Sequence, residues 1–165
     1  MNRRIGWLSV ISVALLIAAG GGVRGDEEKI PLEKLPKAVV EALKERFPDA
    51  VLKSAEKENE DGKVIYDVAL THDGKKYEAG VTQEGEIATI EKQIEAKDLP
   101  RAVADALSEK YPGATYSTIE EVYKVKAKKE TLESYEIAVV TPEKKKLEVH
   151  VAPDGKIKKA SEEKE

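Results

Sequence analysis

Leu35-Pro36-Lys37-Ala38-Val39-Val40-Glu41-Ala42-Leu43-Lys44-Glu45-Arg46-Phe47-Pro48-Asp49-Ala50 returns 64 residues later as Leu99-Pro100-Arg101-Ala102-Val103-Ala104-Asp105-Ala106-Leu107-Ser108-Glu109-Lys110-Tyr111-Pro112-Gly113-Ala114. Nine of the sixteen positions are identical, and Lys/Arg, Glu/Asp, Arg/Lys and Phe/Tyr exchanges keep the chemistry at four others. Self-similarity at a fixed offset marks a repeated structural unit. Within each copy Val39, Leu43 and Phe47, or Val103, Leu107 and Tyr111, recur every four residues and form one apolar stripe, which predicts a short amphipathic helix. Pro36 and Pro100 fall in the first turn, where a missing N–H is harmless. Asp98 is placed to cap the second helix; Lys34, its counterpart, cannot act in that way. Pro48 and Pro112 end the helices by disfavouring helical geometry in the residue before them. Helices of about three to four turns need a surface to pack on.

That surface is read from the residues that follow. Val64-Ile65-Tyr66-Asp67-Val68-Ala69-Leu70 and Tyr77-Glu78-Ala79-Gly80-Val81 alternate with period two and turn Val64, Tyr66, Val68, Leu70, Tyr77, Ala79 and Val81 to one face. In the second copy Tyr135, Ile137, Val139, Leu147, Val149 and Val151 keep that phase, while Glu136, Ala138, Val140, Glu148 and His150 point the other way. Asp61-Gly62, Asp73-Gly74, Glu84-Gly85 and Asp154-Gly155 supply tight turns. Further strands are predicted at Val51 to Glu58 and Glu86 to Lys92, matched by Thr115 to Lys126 and Lys156 to Ala160. The extra length of the second copy falls near Lys124 to Leu132, a longer, charged hairpin to whose apolar side Tyr123 and Val125 belong. The predicted class is α+β: two tandem repeats, each a helix on a four-stranded antiparallel meander, joined into one larger sheet because a unit of about 64 residues buries a marginal core alone. The expected divisions are a leader at 1–25, repeats at 26–94 and 95–160, and a disordered tail at 161–165.

The leader reads as a signal peptide. Arg3 and Arg4 precede an apolar run from Ile5 to Ala19, and small residues follow at Ala18-Ala19-Gly20 and Val23-Arg24-Gly25, the second being the favoured cleavage site. The run gives way to Gly20, Gly21 and Gly22 short of the roughly 20 apolar residues that a span needs, so no stable membrane insertion is expected after cleavage. Loss of Arg3, Arg4 and Arg24 would leave 32 acidic against 25 basic residues, a balance of −7. With both signs interleaved along the chain, this argues for a solvated surface and against nucleic acid as a partner.

The residues available for chemistry are few. Cysteine is absent, which removes disulfides, thiolate metal sites and a thiol nucleophile. His72 precedes the Asp73-Gly74 turn and His150 stands beside Glu148 on the outward phase. With no HxxxH or HxH spacing both are expected as solvated surface residues, and no metal ligand set is predicted. The Asp-Gly steps lack the alternating acids and distal Glu of a calcium loop and read as turns. Tyr66 and Tyr135, in phase with inward aliphatics, are expected in the core. No GxSxG elbow occurs, and the Ser and Thr residues have no histidine base within a recognisable motif. Neither a cofactor nor catalysis is expected.

The Leu-Pro-x-Ala-Val helix ending in aromatic-Pro-x-Ala, followed by Tyr66-Asp67-Val68 and Glu84-Gly85-Glu86-Ile87, resembles the PepSY-like family, which is also described as beta-lactamase-inhibitor-like. The resemblance extends from Ile30 to about Ala160. It implies exported bacterial proteins of the periplasm or exterior that bind rather than catalyse, with joined sheets offering a concave face to a protein, and it makes a peptidase one form that partner could take. Alternation alone marks the face not covered by the helices, with Ile65, Asp67, Glu78, Glu136, Ala138, Val140, Glu148 and His150, as the candidate partner-binding surface. A cation-handling or envelope-stress module is the alternative, from the abundance of carboxylates.

Overall fold

The repeated stretches form the helices α1 (Lys37–Arg46) and α2 (Arg101–Lys110) in a computed structural model that describes residues 28–60 and 62–162. The expected signal peptide, its cleavage site, Asp61 and residues 163–165 lie outside the described residues. Pro36 and Pro100 are the N-caps, and neither helix start is capped by a side chain. Asp98 therefore does not cap α2. It closes a one-turn 3-10 helix (Ala96–Asp98), where its Oδ2 accepts the Glu95 N–H at 3.4 Å. Phe47 and Tyr111 are the C-caps, their N–H groups bonded to Leu43 and Leu107 carbonyls at 2.8 Å each.

Among the described residues nine strands make one antiparallel sheet whose spatial order is the chain order. They are β1 (Glu28–Ile30), β2 (Val51–Glu60), β3 (Lys63–His72), β4 (Lys75–Thr82), β5 (Ile87–Gln93), β6 (Thr115–Lys126), β7 (Lys129–Val140), β8 (Lys146–Val151) and β9 (Ile157–Glu162). The three-residue edge strand β1 has no counterpart among the expected strands, being too short to show a period. At the other edge, β9 carries Ser161 and Glu162 into pairing with Glu148 and Leu147, two residues beyond the expected end at Ala160. The β5–β6 joint keeps the sheet continuous across the α2 segment, with Thr89 to Gln93 paired to Lys124 to Glu120.

Both helices lie on one face. Val39, Leu43 and Phe47 pack over Ala55, Tyr66, Val68, Leu70, Ala79, Val81 and Ile90. Val103 and Leu107 pack over Ile119, Tyr135, Ile137, Val139, Val149 and Val151. Each such fully buried aliphatic side chain contributes about 1.5–3 kcal/mol, and Tyr66 and Tyr135 are buried among them. The long β6–β7 hairpin has its own use: Tyr123 and Val125 pack against the first core, and the hairpin reaches α1 through Arg46–Glu130 (2.7 Å) and Lys128–Glu45 (2.9 Å). His72 is not a solvated turn residue. It ends β3 against Phe47 and Tyr77, with ring centroids 5.7 and 6.4 Å away.

Bulges interrupt the ladder between Leu52 and Ser54, Gly80 and Val81, Tyr116 and Thr118, Val122 and Tyr123, and His150 and Val151. Each adds twist and bends its strand. The face opposite the helices is recessed at its centre, where Thr89, Glu91, Val122, Ser134 and Glu136 are buried although no helix covers them.

Candidate functional site

Cross-strand register places all eight sequence-predicted residues on this recessed, helix-free face. Asp67 stands opposite Gly80, Ile65 opposite Thr82, and Glu78 opposite Ala69. Glu136 stands opposite His150, Ala138 opposite Glu148, and Val140 opposite Lys146. Ile65 and Asp67 lie at some distance in sheet order from His150, and the strands between them carry two carboxylates that sequence reasoning did not single out. Glu91 pairs with Glu78 on one side and Val122 on the other, and Glu120 pairs with Glu136. With Glu56 opposite Asp67, every strand from β2 to β8 contributes an acid: Glu56, Asp67, Glu78, Glu91, Glu120, Glu136 and Glu148.

Such a row is unfavourable by itself, because like charges facing across strands repel. Burial increases the cost. Glu91 is 2% exposed and neither of its carboxylate oxygens has a hydrogen-bond partner. Burial pushes its carboxyl well above the usual range, and the neighbouring Glu136, Glu78, Glu120 and Asp67 push the same way. Glu78 is raised for the same leading reason, with Asp67 and Glu120 adding to it. Burial lifts Glu120 to about 7 against the opposing pull of Lys76. Glu136, 3% exposed, is lifted to about 8 by burial, then by Glu148 and Glu120, while Lys159 opposes. Carboxyls held this far from their ordinary behaviour cluster at functional sites more often than elsewhere.

Gly80 supports this arrangement. A Cβ there would collide with Thr89 Oγ1 and stand 3.1 Å from Asp67 Oδ1, so the bare backbone lets both side chains lie across β4. Beside it a groove of about 490 Å³ is lined by Ser54, Asp67, Ala69, Glu78, Gln93 and Glu120.

At the β8 end His150 departs from its expected solvated state. Its side chain is 13% exposed, Nε2 lies 2.8 Å from Glu148 Oε1 and 3.6 Å from Glu136 Oε2, and Lys159 Nζ stands 3.9 Å from Glu148 Oε1. The convergence comes from pairing between strands and from the i, i+2 step on β8. Linear motif spacing shows only the second.

Across the sheet, on the helix side of the β5–β6 joint, Lys92 Nζ and the Tyr123 hydroxyl both donate to Glu121 Oε2, at 2.8 and 3.0 Å. Burial, reinforced by Glu121, pushes the Tyr123 phenol up to about 12. This group ties β5 to β6, and Tyr123 packs against the first core.

A family model described as "Putative beta-lactamase-inhibitor-like, PepSY-like" matches residues 23–87 and again 64–159. Among solved structures, the chain is similar to a protein of Bacteroides eggerthii described as "putative periplasmic" at 17% identity, covering 77% of this chain and 88% of that one with a TM-score of 0.61. A DUF2874 family protein of Bacteroides uniformis gives 17% identity, the same coverages and a TM-score of 0.59. A protein of Bacteroides fragilis described as BLIP-like gives 19% identity over 77% of this chain and 86% of that one, with a TM-score of 0.55. These likenesses extend to the fold. No curated protein matches the chain. Among the described residues no helix is long and apolar enough to cross a membrane. The two matches of the family model together span most of the sequence, and the chain belongs to the PepSY-like, beta-lactamase-inhibitor-like family.

Proposed function

We propose that this chain is a non-catalytic, exported binding module that recognises a protein partner through the recessed sheet face, by accepting lysine or arginine side chains of that partner among its carboxylates. In this reading residues 26–94 and 95–160 are two copies of one unit whose joined meanders build the face, and residues 1–25 direct export. The location is supported by the charge and apolar pattern of the leader and by relatives described as periplasmic.

One observation carries the proposal. Carboxylates on consecutive strands face one another at Glu78–Glu91 and Glu120–Glu136, where mutual repulsion and burial both oppose ionisation. A cationic group from outside would relieve both at once. The half-buried Glu78 and Glu120 both line the open groove. Side chains with long apolar stems and charged ends suit such a trough.

Calorimetric titration of the chain with short peptides, identical except for lysine, glutamate or glutamine at alternate positions, tests this. The lysine peptide should bind saturably, weaken steeply with added salt, and lose about tenfold in affinity with Glu78→Gln and Glu120→Gln combined. Equal binding of all three peptides, or an unchanged affinity in the double variant, refutes the reading.

A further inference from the structure

We propose that Glu136, Glu148 and His150 form a binding site for one divalent transition-metal ion of the zinc class, at the β7–β8 end of the recessed face.

The three side chains each offer one ligand atom, and these atoms all lie within 4.8 Å of one another. His150 Nε2 is 2.8 Å from Glu148 Oε1 and 3.6 Å from Glu136 Oε2. A metal with bonds of about 2.0–2.2 Å to nitrogen and oxygen holds tetrahedral ligands about 3.4 Å apart. The two separations from His150 lie on either side of that edge and the two carboxylates stand within 4.8 Å of each other, so seating an ion takes side-chain shifts of about half an ångström at Glu148 and up to about an ångström between the carboxylates. One imidazole with two carboxylates is a donor set that suits zinc and its first-row neighbours better than calcium, which prefers six or more oxygens.

A second observation is independent of the clustering. Glu136 is 3% exposed, yet its Oε2, the atom turned toward His150, has no hydrogen-bond partner. A buried carboxylate oxygen left unpartnered is costly, and a cation beside it removes that cost. The backbone also favours such a site, because Glu136 and His150 are directly paired across β7 and β8, and Glu148 is two residues from His150 on the same face. The three ligands thus rest on strands, with positions fixed by ladder hydrogen bonds.

Lys159 gives a specific check. Its ammonium stands 3.9 Å from Glu148 Oε1, the oxygen that also faces His150, and so competes with a metal for it. With three protein ligands the ion keeps a further position for water. The site shares Glu136 with the acidic row of the protein-binding reading but needs no partner, so titration of the chain alone with metal tests it separately.

The test is a titration of the intact chain with Zn2+ alone, followed by calorimetry and by the imidazole proton resonances of its two histidines. One equivalent should bind. His150 resonances should shift while those of His72, which packs against Phe47 and Tyr77, stay in place. His150→Gln and Glu136→Gln should each weaken binding at least about tenfold. Lys159→Ala should tighten it several-fold, and a hundredfold excess of Ca2+ should not displace the zinc. Absence of saturable binding, equal shifts at His72, or displacement by calcium overturns the site. The resonances of the unsubstituted chain decide the matter even where a variant fails to fold.

Discussion

Replacing Glu91 by glutamine should stabilise the protein, and increasingly so as pH rises. Glu91 is 2% exposed, with both oxygens unpartnered and its ordinary carboxyl value of 4.5 strongly raised by burial and then by Glu136. In the unfolded chain the carboxyl ionises freely above 4.5; in the folded chain it retains its proton or ionises at a cost. Folding therefore takes up protons, and each pH unit above 4.5 removes about 1.4 kcal/mol while the folded group stays protonated. At pH 8 the ceiling is about 5 kcal/mol. Relaxation of neighbouring side chains and water entry reduce it, and about 2 kcal/mol is a reasonable net gain for an amide that never ionises. For a chain of this size that raises Tm by about 6 °C at pH 8. At pH 4.5 the folded carboxyl is neutral and the unfolded one only half ionised, so the difference should shrink to about 1 °C. Differential scanning calorimetry of both proteins from pH 4.5 to 8.5 measures it. A Glu91→Gln variant less stable than its parent at pH 8, or a gain independent of pH, refutes the assignment of a buried, unpartnered acid.

The unsubstituted chain should itself lose stability as pH rises: Glu120 and Glu136 titrate at about 7 and about 8 in the folded state against 4.5 as the ordinary value, so their contribution is complete below about 4.5 and lost towards pH 8, which a Tm profile would show. Gly85→Ala and Gly155→Ala should each cost about 2–4 kcal/mol in urea unfolding, because φ is +88° and +89° and the new Cβ would stand 2.7 Å from Ala38 O or 2.5 Å from Ala102 O; near-equal losses are expected from equivalent helix contacts. At the tip of the β6–β7 hairpin, Ala127 and Lys128 both hold positive φ, 49° and 63°, so Ala127→Asn with Lys128→Gly should add about 1 kcal/mol by chemical denaturation even though the exposed Lys128–Glu45 pair is lost.

Much of the helix face is legible in the linear sequence because its stripes are regular. Val39, Leu43 and Phe47 recur at helical spacing, Tyr66, Val68 and Leu70 at strand spacing, and all of them are buried together. The recessed face is harder to read because bulges shift the phase. Ile87 and Ile90 both pack towards the helix although they are three residues apart, since Ala88 is skipped between Val81–Ile87 and Gly80–Thr89. Period-two reading fails across such a step, and Glu91 escapes notice. The same holds at Tyr116 and Thr118, upstream of Glu120. Asp98 has the right chemistry for a cap and the right position by count, but the chain makes an extra 3-10 turn before α2 and Asp98 closes that turn. Alternation puts His150 on the correct face, yet its environment depends on Glu136 across the ladder, which no spacing along the chain encodes.

The β5–β6 joint is what makes the recessed face a single surface. Glu91 and Glu120 are contributed by adjoining strands from either side of the α2 segment, and both are central in the row of acids. Two unjoined sheets would leave β5 and β6 as open edges, where carboxylates would reach water and keep their ordinary acidity. Joined, the strands place Glu91 against Val122 and bury it. The reinforcement of the joint on the opposite side is consistent with this strain: Lys92, Glu121 and Tyr123 link the two strands there, and Tyr123 and Val125 extend onto the first core. The helix side thus supplies the stability that a buried acidic row consumes, and any cation accepted by that row returns part of it by binding only the folded chain. A face of this kind is expected to gain stability with its ligand, which makes a rise in Tm on adding lysine peptide or Zn2+ a direct readout of occupancy and a fall in Tm evidence against both.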